Sequence, residues 1–184
     1  MSTSELSTPQ SAAERKVAEA ELRAIIDKFA PEQFKLISAM RKSLRKRLPT
    51  AHELVYEYRT WLVISFSPSE QGFEGVLAIR ADADGVKFYF SRGKELPDPE
   101  KLLKGSAHVR FIDVEIASTL ARPAVVSLVE EAIARNPVPF ASAGSGSIII
   151  RSATPKKKAA KKGTTKKRLT KANPVKKRSP RRPA

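Results

Sequence analysis

The chemistry this chain offers most openly is charge pairing with phosphate. Residues 151–184 contain fifteen Lys or Arg and no Asp or Glu. Lys156, Lys157, Lys158, Lys161 and Lys162 lie in the run PKKKAAKK. Lys166, Lys167, Arg168 and Lys171 follow, and Lys176, Lys177, Arg178, Arg181 and Arg182 close the segment within VKKRSPRRP. The whole chain has 35 basic and 19 acidic residues, so removing those fifteen leaves 20 against 19. Nearly all of the net charge of +16 therefore sits on one terminal stretch. A cation that pairs with a phosphate releases a condensed counterion, which drives binding without reading sequence. Leu169 and Val175 are the stretch's main apolar side chains, too little to bury a core. The segment is expected to be disordered alone and to take nucleic acid, DNA or RNA, as its partner. An anionic membrane is not expected, since no aromatic or Leu-rich anchor accompanies the charge.

A second constellation lies in the middle of the chain. Glu53, Tyr56, Tyr58 and Trp61 place one carboxylate and three aromatic rings on adjoining strands. Glu53, Tyr56 and Trp61 would suit the walls of a small-ligand pocket. Aromatics on a sheet also stack single-stranded bases. The alternative is an ordinary sheet core with one exposed pair.

Catalytic and metal-binding arrangements are scarce. There is no Cys, which removes disulfides, thiolate zinc sites and Cys nucleophiles together. The two histidines, His52 and His108, are far apart and fit no HxH or HExxH spacing. They are expected in loops or at the surface. Gly144-Ser145-Gly146-Ser147 lacks the GK[ST] ending of a phosphate loop and is expected to be a flexible turn. No metal, no cofactor and no enzymatic site is expected. No apolar run approaches about 18 residues, and residues 1–10 do not read as a secretory leader, so a cytoplasmic location is expected.

Elements must position these groups. Ser11 with Glu14 forms a capping-box pattern, and Ala18, Leu22, Ile25 and Phe29 mark one helical face. Ala30-Pro31 ends this helix and starts a second, which runs to Leu48 with Phe34, Ile37, Met40, Leu44 and Leu48 as its stripe. Lys35, Lys42 and Lys46 fall on its outer face, expected to be solvated, while Arg41 at the stripe's margin is expected to be an internal ion-pair partner. Strands are expected from Leu54 to Phe66 with a turn at Arg59-Thr60, then from Phe73 to Arg80, and from Val86 to Ser91. Asp98-Pro99 predicts a short helix closing at Gly105. A strand at Arg110–Val114, a helix from Pro123 to about Asn136, and a last strand at Ile148–Ile150 complete an α+β order.

Three pieces, Glu53-Leu54-Val55-Tyr56, Phe66-Ser67-Pro68-Ser69-Glu70 and LPDPEKLLKGS from Leu96 to Ser106, resemble the bacterial YdhG-like family of unknown function. The resemblance covers about residues 25–135. It implies a frataxin-like sandwich of helices on an antiparallel sheet, and one branch of that family has been proposed to carry iron. That role leans on an acidic ridge over the first helix and first strand. Here the first helix mixes Glu14, Glu19, Glu21 and Asp27 with Arg15, Lys16, Arg23 and Lys28. The Lys/Ala/Pro-rich end is similar to linker-histone tails. The expected organisation is a disordered 1–10, an α+β domain over 11–150 and a disordered basic tail over 151–184. The expected function is non-sequence-specific nucleic-acid binding by that tail, and the alternative is a small-ligand or iron carrier whose tail is incidental.

Overall fold

The computed structural model describes residues 10–152. Helix α1 (Ala12–Phe29) opens with the capping box in place: the Glu14 amide donates to the Ser11 hydroxyl at 3.2 Å, and the Ser11 amide donates to the Glu14 carboxylate at 2.8 Å. Pro31–Gln33 forms one 3-10 turn, and α2 (Phe34–Arg47) continues from it. Strands β1 (His52–Glu57), β2 (Leu62–Ser67), β3 (Leu77–Asp82), β4 (Gly85–Phe90) and β5 (Arg110–Val114) follow, then α3 (Pro123–Ala134) and β6 (Ile148–Ser152). The sheet runs β5-β4-β3-β2-β1-β6, antiparallel except where β6 pairs parallel with β1.

Side chains on a strand alternate between faces, so register assigns them to sides. Val55, Ile64, Ile79, Phe88 and Ile112 lie in register across the sheet and face one way. They belong to a single core with Leu22 and Ile26 of α1, Ile37, Met40 and Leu44 of α2, and Val125, Leu128 and Val129 of α3. All three helices thus cover the same face. The fold is α+β in two layers, and among the described residues the other sheet face carries no α-helix. Ile26 joins the core although the helical stripe expected from spacing omits it.

Several expectations change, including the start of the basic segment, since Arg151 and Ser152 belong to β6. Residues 98–105 do not form a helix. The Asp98 carboxylate accepts from the amides of Leu102 (2.9 Å) and Leu103 (2.8 Å), further along than a helix cap reaches, and Lys101 takes a φ of 54°. A closed turn results. It presses Leu102 and Leu103 against the core and lets Lys104 pair with Phe111 beside β5. Phe73, expected in a strand, lies in the 3-10 turn Gly72–Glu74, because the chain crosses the open sheet face there before β3 begins at Leu77. Gln10, expected in a disordered stretch, pairs its side-chain amide with both backbone groups of Ile148 at 3.0 Å. Residues 1–9 and 153–184 lie outside the described residues.

The Gly/Ser run is a docking seam rather than a flexible turn. The Gly146 amide donates to the Pro49 carbonyl at 3.1 Å, and the Glu53 amide donates to the Ser147 carbonyl at 2.8 Å. A Cβ on Gly146 would collide with the Ala51 carbonyl and lie 2.8 Å from the His52 nitrogen. Rigid backbone lies on both sides, so neither can yield cheaply. Gly146→Ala is therefore expected to destabilise the fold by about 3 kcal/mol or more, at the upper end for overpacking. A urea-unfolding midpoint within error of the parent chain would show that the seam is looser than described.

Candidate functional site

The sheet separates the groups that the sequence places together. On β1, Glu53 points to the helix side and Tyr56 to the other, as positions three apart must. Trp61 stacks with Tyr58 and so sits on Tyr56's side. The expected pocket of Glu53, Tyr56 and Trp61 does not form. It divides into a buried ionic cluster and an aromatic surface.

The cluster is built on one turn of α2. Arg41 and Arg45, four residues apart, project from one helix face toward β1. Glu53 is 2 % exposed and Arg41 7 %, the only buried charged residues among those described. Arg41 Nε donates to Glu53 at 2.7 Å, and its Nη1 to Glu19 of α1 at 3.0 Å. Arg45 donates to Glu53 and, at 2.6 Å, to Glu19. Arg41 is the internal partner that its position in the stripe predicts. Burial works to raise the Glu19 carboxyl, but hydrogen bonds and charge from the two arginines outweigh it and hold its pKa below the ordinary value. Both carboxylates are saturated by guanidinium, so this cluster has no free acid or base to offer a substrate.

Glu14 closes the capping box, Glu19 is held by arginines, Asp27 pairs with Arg23 and Glu57 with Lys28. Among the described residues, no group of three or more His, Asp or Glu stands where it could share a metal ion. His108 is a surface residue 3.5 Å from Glu95. His52 begins β1 half-buried, and its Nδ1 accepts from the Ser147 amide at 3.3 Å.

The open face is chemically distinctive. All three tyrosines (Tyr56, Tyr58, Tyr89) and the single tryptophan lie on it. Tyr56, Tyr58, Trp61 and the guanidinium of Arg80 form a continuous stack, with ring centroids 6.4 Å and 5.3 Å apart and Arg80 4.6 Å from the Trp61 centroid. Tyr89 and Phe111 make a second ring pair at 5.2 Å, with the Lys87 ammonium 5.8 Å from the Phe111 centroid. Lys35, Lys42 and Lys46 are exposed on α2, away from this face. The fourteen basic residues from Lys156 to Arg182 lie outside the described residues. Among those described, no helix is long and apolar enough to cross a membrane. Comparison with family models, with curated proteins and with solved structures returns no match to this chain.

Removing one partner of a buried ion pair leaves the other charge uncompensated, at a cost of about 3–5 kcal/mol, whereas replacing both by apolar groups is close to neutral. Arg41→Met leaves Glu53 with Arg45 as its remaining partner, so it should lower stability by about 3 kcal/mol or less, and Arg41→Met with Glu53→Leu should recover most of that. Equal losses for the single and double variants in urea titrations would contradict the pairing.

Stability should also depend on pH in two stages. Burial holds His52 below its ordinary value of 6.5, against the opposing charge of Glu70. The unfolded chain then takes up a proton before the folded chain does, so stability is full above pH 6.5 and declines below it. The depressed Glu19, together with Asp113, adds a second loss at more acidic pH, as the folded-state carboxylates protonate. His52→Asn should flatten the first stage and leave the second in urea midpoints measured across the range. A first stage unchanged by that substitution would assign it elsewhere.

Proposed function

We propose that this chain is a YdhG-like domain with the helix-on-sheet sandwich of frataxin, non-enzymatic, whose basic C-terminal segment binds nucleic acid without sequence preference. The observation that carries the reading is the segregation of charge: fifteen cations and no acid in residues 151–184, against 20 basic and 19 acidic residues in the remainder. A nearly neutral body has no long-range pull on a polyanion. A segment this cationic exchanges condensed counterions for its own charges and binds with steep salt dependence. The described body supports the division of labour in another way. Its only buried charges neutralise each other, and β6, which ends at Ser152, is an edge strand of the sheet.

If about ten cations engage duplex DNA, the log–log slope of affinity against salt should be roughly −9. Deleting residues 153–184, which begin after the last strand, should abolish that binding at 150 mM salt and leave a slope near zero. Fluorescence anisotropy with a labelled duplex at two salt concentrations measures both. Retention of the full chain's affinity and slope by the truncated chain would sink the reading.

A further inference from the structure

Register brings a row of groups across all six strands on the open face: Arg151, Tyr56, Val63, Arg80, Lys87 and Asp113. At about 4.8 Å per strand the row is roughly 24 Å long. Three of the six are cations, and the aromatic stack of Tyr58 and Trp61 borders them. Tyr58 is 36 % exposed, and Phe73, 85 % exposed, stands in the loop whose Gly72 abuts the Tyr56 hydroxyl. Arg80 also pairs with Asp82 at 3.3 Å and Lys87 with Asp113 at 3.6 Å, while Arg151 donates to the Glu70 carbonyl and, among the described residues, no carboxylate pairs with it. Flat rings ending in a guanidinium, with Arg151 in the same row, are complementary to a flat ring that carries a negative group.

We infer that the open sheet face is a stacking platform for the bases of a single-stranded nucleic acid. Two observations select this occupant. The first is the composition of the face: cations lie directly on rings, Arg80 on Trp61 and Lys87 on Phe111, and Arg151 adds a charge bound to no carboxylate among the described residues. The second is where the basic segment departs. β6 pairs parallel with β1, so Ser152 lies opposite Glu57, one residue before Tyr58. A phosphate backbone held by the residues after Ser152 is delivered to the end of the sheet where the aromatic stack begins. The 32 residues that follow reach at most about 110 Å extended, several times the length of the row. A duplex hides its base faces and gains only from the cations; an unpaired strand gains from the rings as well. The inference adds a second surface to the reading proposed above, and its test separates the two.

The test uses the full chain and its one tryptophan, Trp61, as reporter. Three probes are titrated at matched salt: oligo-dT of about 20 nucleotides, a duplex of the same length, and linear polyphosphate, which has charge but no bases. Oligo-dT should quench Trp61 fluorescence, while polyphosphate and duplex bind without quenching. Tyr58→Ala and Phe73→Ala, both at exposed positions, should each weaken oligo-dT by roughly 5- to 150-fold, the range for one lost base stack, and leave polyphosphate unchanged. Tyr58→Phe, which keeps the ring, should restore oligo-dT binding. If oligo-dT quenches no more than polyphosphate does, or if the alanine variants leave the ratio of the two affinities unchanged, the platform is refuted and the basic segment alone binds. If polyphosphate and duplex fail to bind while oligo-dT still quenches, the platform stands and the tail reading falls. A Tyr58→Ala change in sedimentation with no change in oligo-dT affinity would refute the platform in favour of a face for self-association.

Discussion

Arg41 and Glu53 set the frame on which this molecule is arranged. Glu53 sits on the helix-facing side of β1, in register with Phe66 of β2 and Ile148 of β6. An isolated carboxylate there would be very costly, and it is tolerated because two planar guanidinium groups reach it from α2. Arg41 and Arg45 also hold Glu19, so one ionic cluster joins α1, α2 and β1. The net stabilisation from such a cluster is small, but its geometry is specific. Slipping β1 by one residue would send Glu53 to the open face and leave buried Arg41 and half-buried Arg45 facing Leu54 or His52. The cluster therefore opposes a one-residue slip of β1, whose apolar run is only Leu54-Val55-Tyr56.

Fixing the faces in this way decides where each aromatic goes. Phe66, Phe88 and Phe90 are fully buried among the helices. The tyrosines and the tryptophan, whose O–H and N–H need a polar partner or water, occupy the other side. The loop between β2 and β3 covers part of that side, burying Leu54 and Ser65 beneath it. The rest stays partly open, and there Arg80 and Lys87 lie against rings instead of being fully solvated. The face is neither a second core nor an ordinary polar surface.

The sequence made some of this legible and hid the rest, for identifiable reasons. Capping at Ser11, the helix break at Ala30-Pro31, a strand from Val86 and the boundaries of β5 all rest on local chemistry, and each appears as read. Arg41 was legible because a cation at the margin of an apolar stripe must find an acid. Its partner was not, because Glu53 is close in sequence to aromatics that proved to be on the opposite side. Parity along β1 separates Glu53 from Tyr56 and could have shown this. The segment from Asp98 to Gly105 misled because Asp-Pro followed by Leu-Leu and Gly is equally a helix signature and a turn. Packing of Leu102 and Leu103 decided between them. The role of Gly146 was illegible, since only the approach of Ala51 from nearly a hundred residues away makes a Cβ intolerable.

The parallel pairing of β6 with β1 has a consequence that no local pattern contains. A parallel neighbour needs a crossover connection, and here everything from β2 through α3 lies between the two strands. The last strand is thereby returned beside the first and points the same way. Had β6 paired antiparallel, the chain would leave the sheet near His52, at the end occupied by the Gly146 seam. Instead it leaves beside Glu57, next to Tyr58 and Trp61. Charge that is merely attached to a body raises the local concentration of a polyanion around it without favouring any surface. Charge that departs from the edge of an aromatic face favours that face over every other part of the body. Topology, rather than composition, is what would turn a cationic segment and a set of half-buried rings into one composite surface.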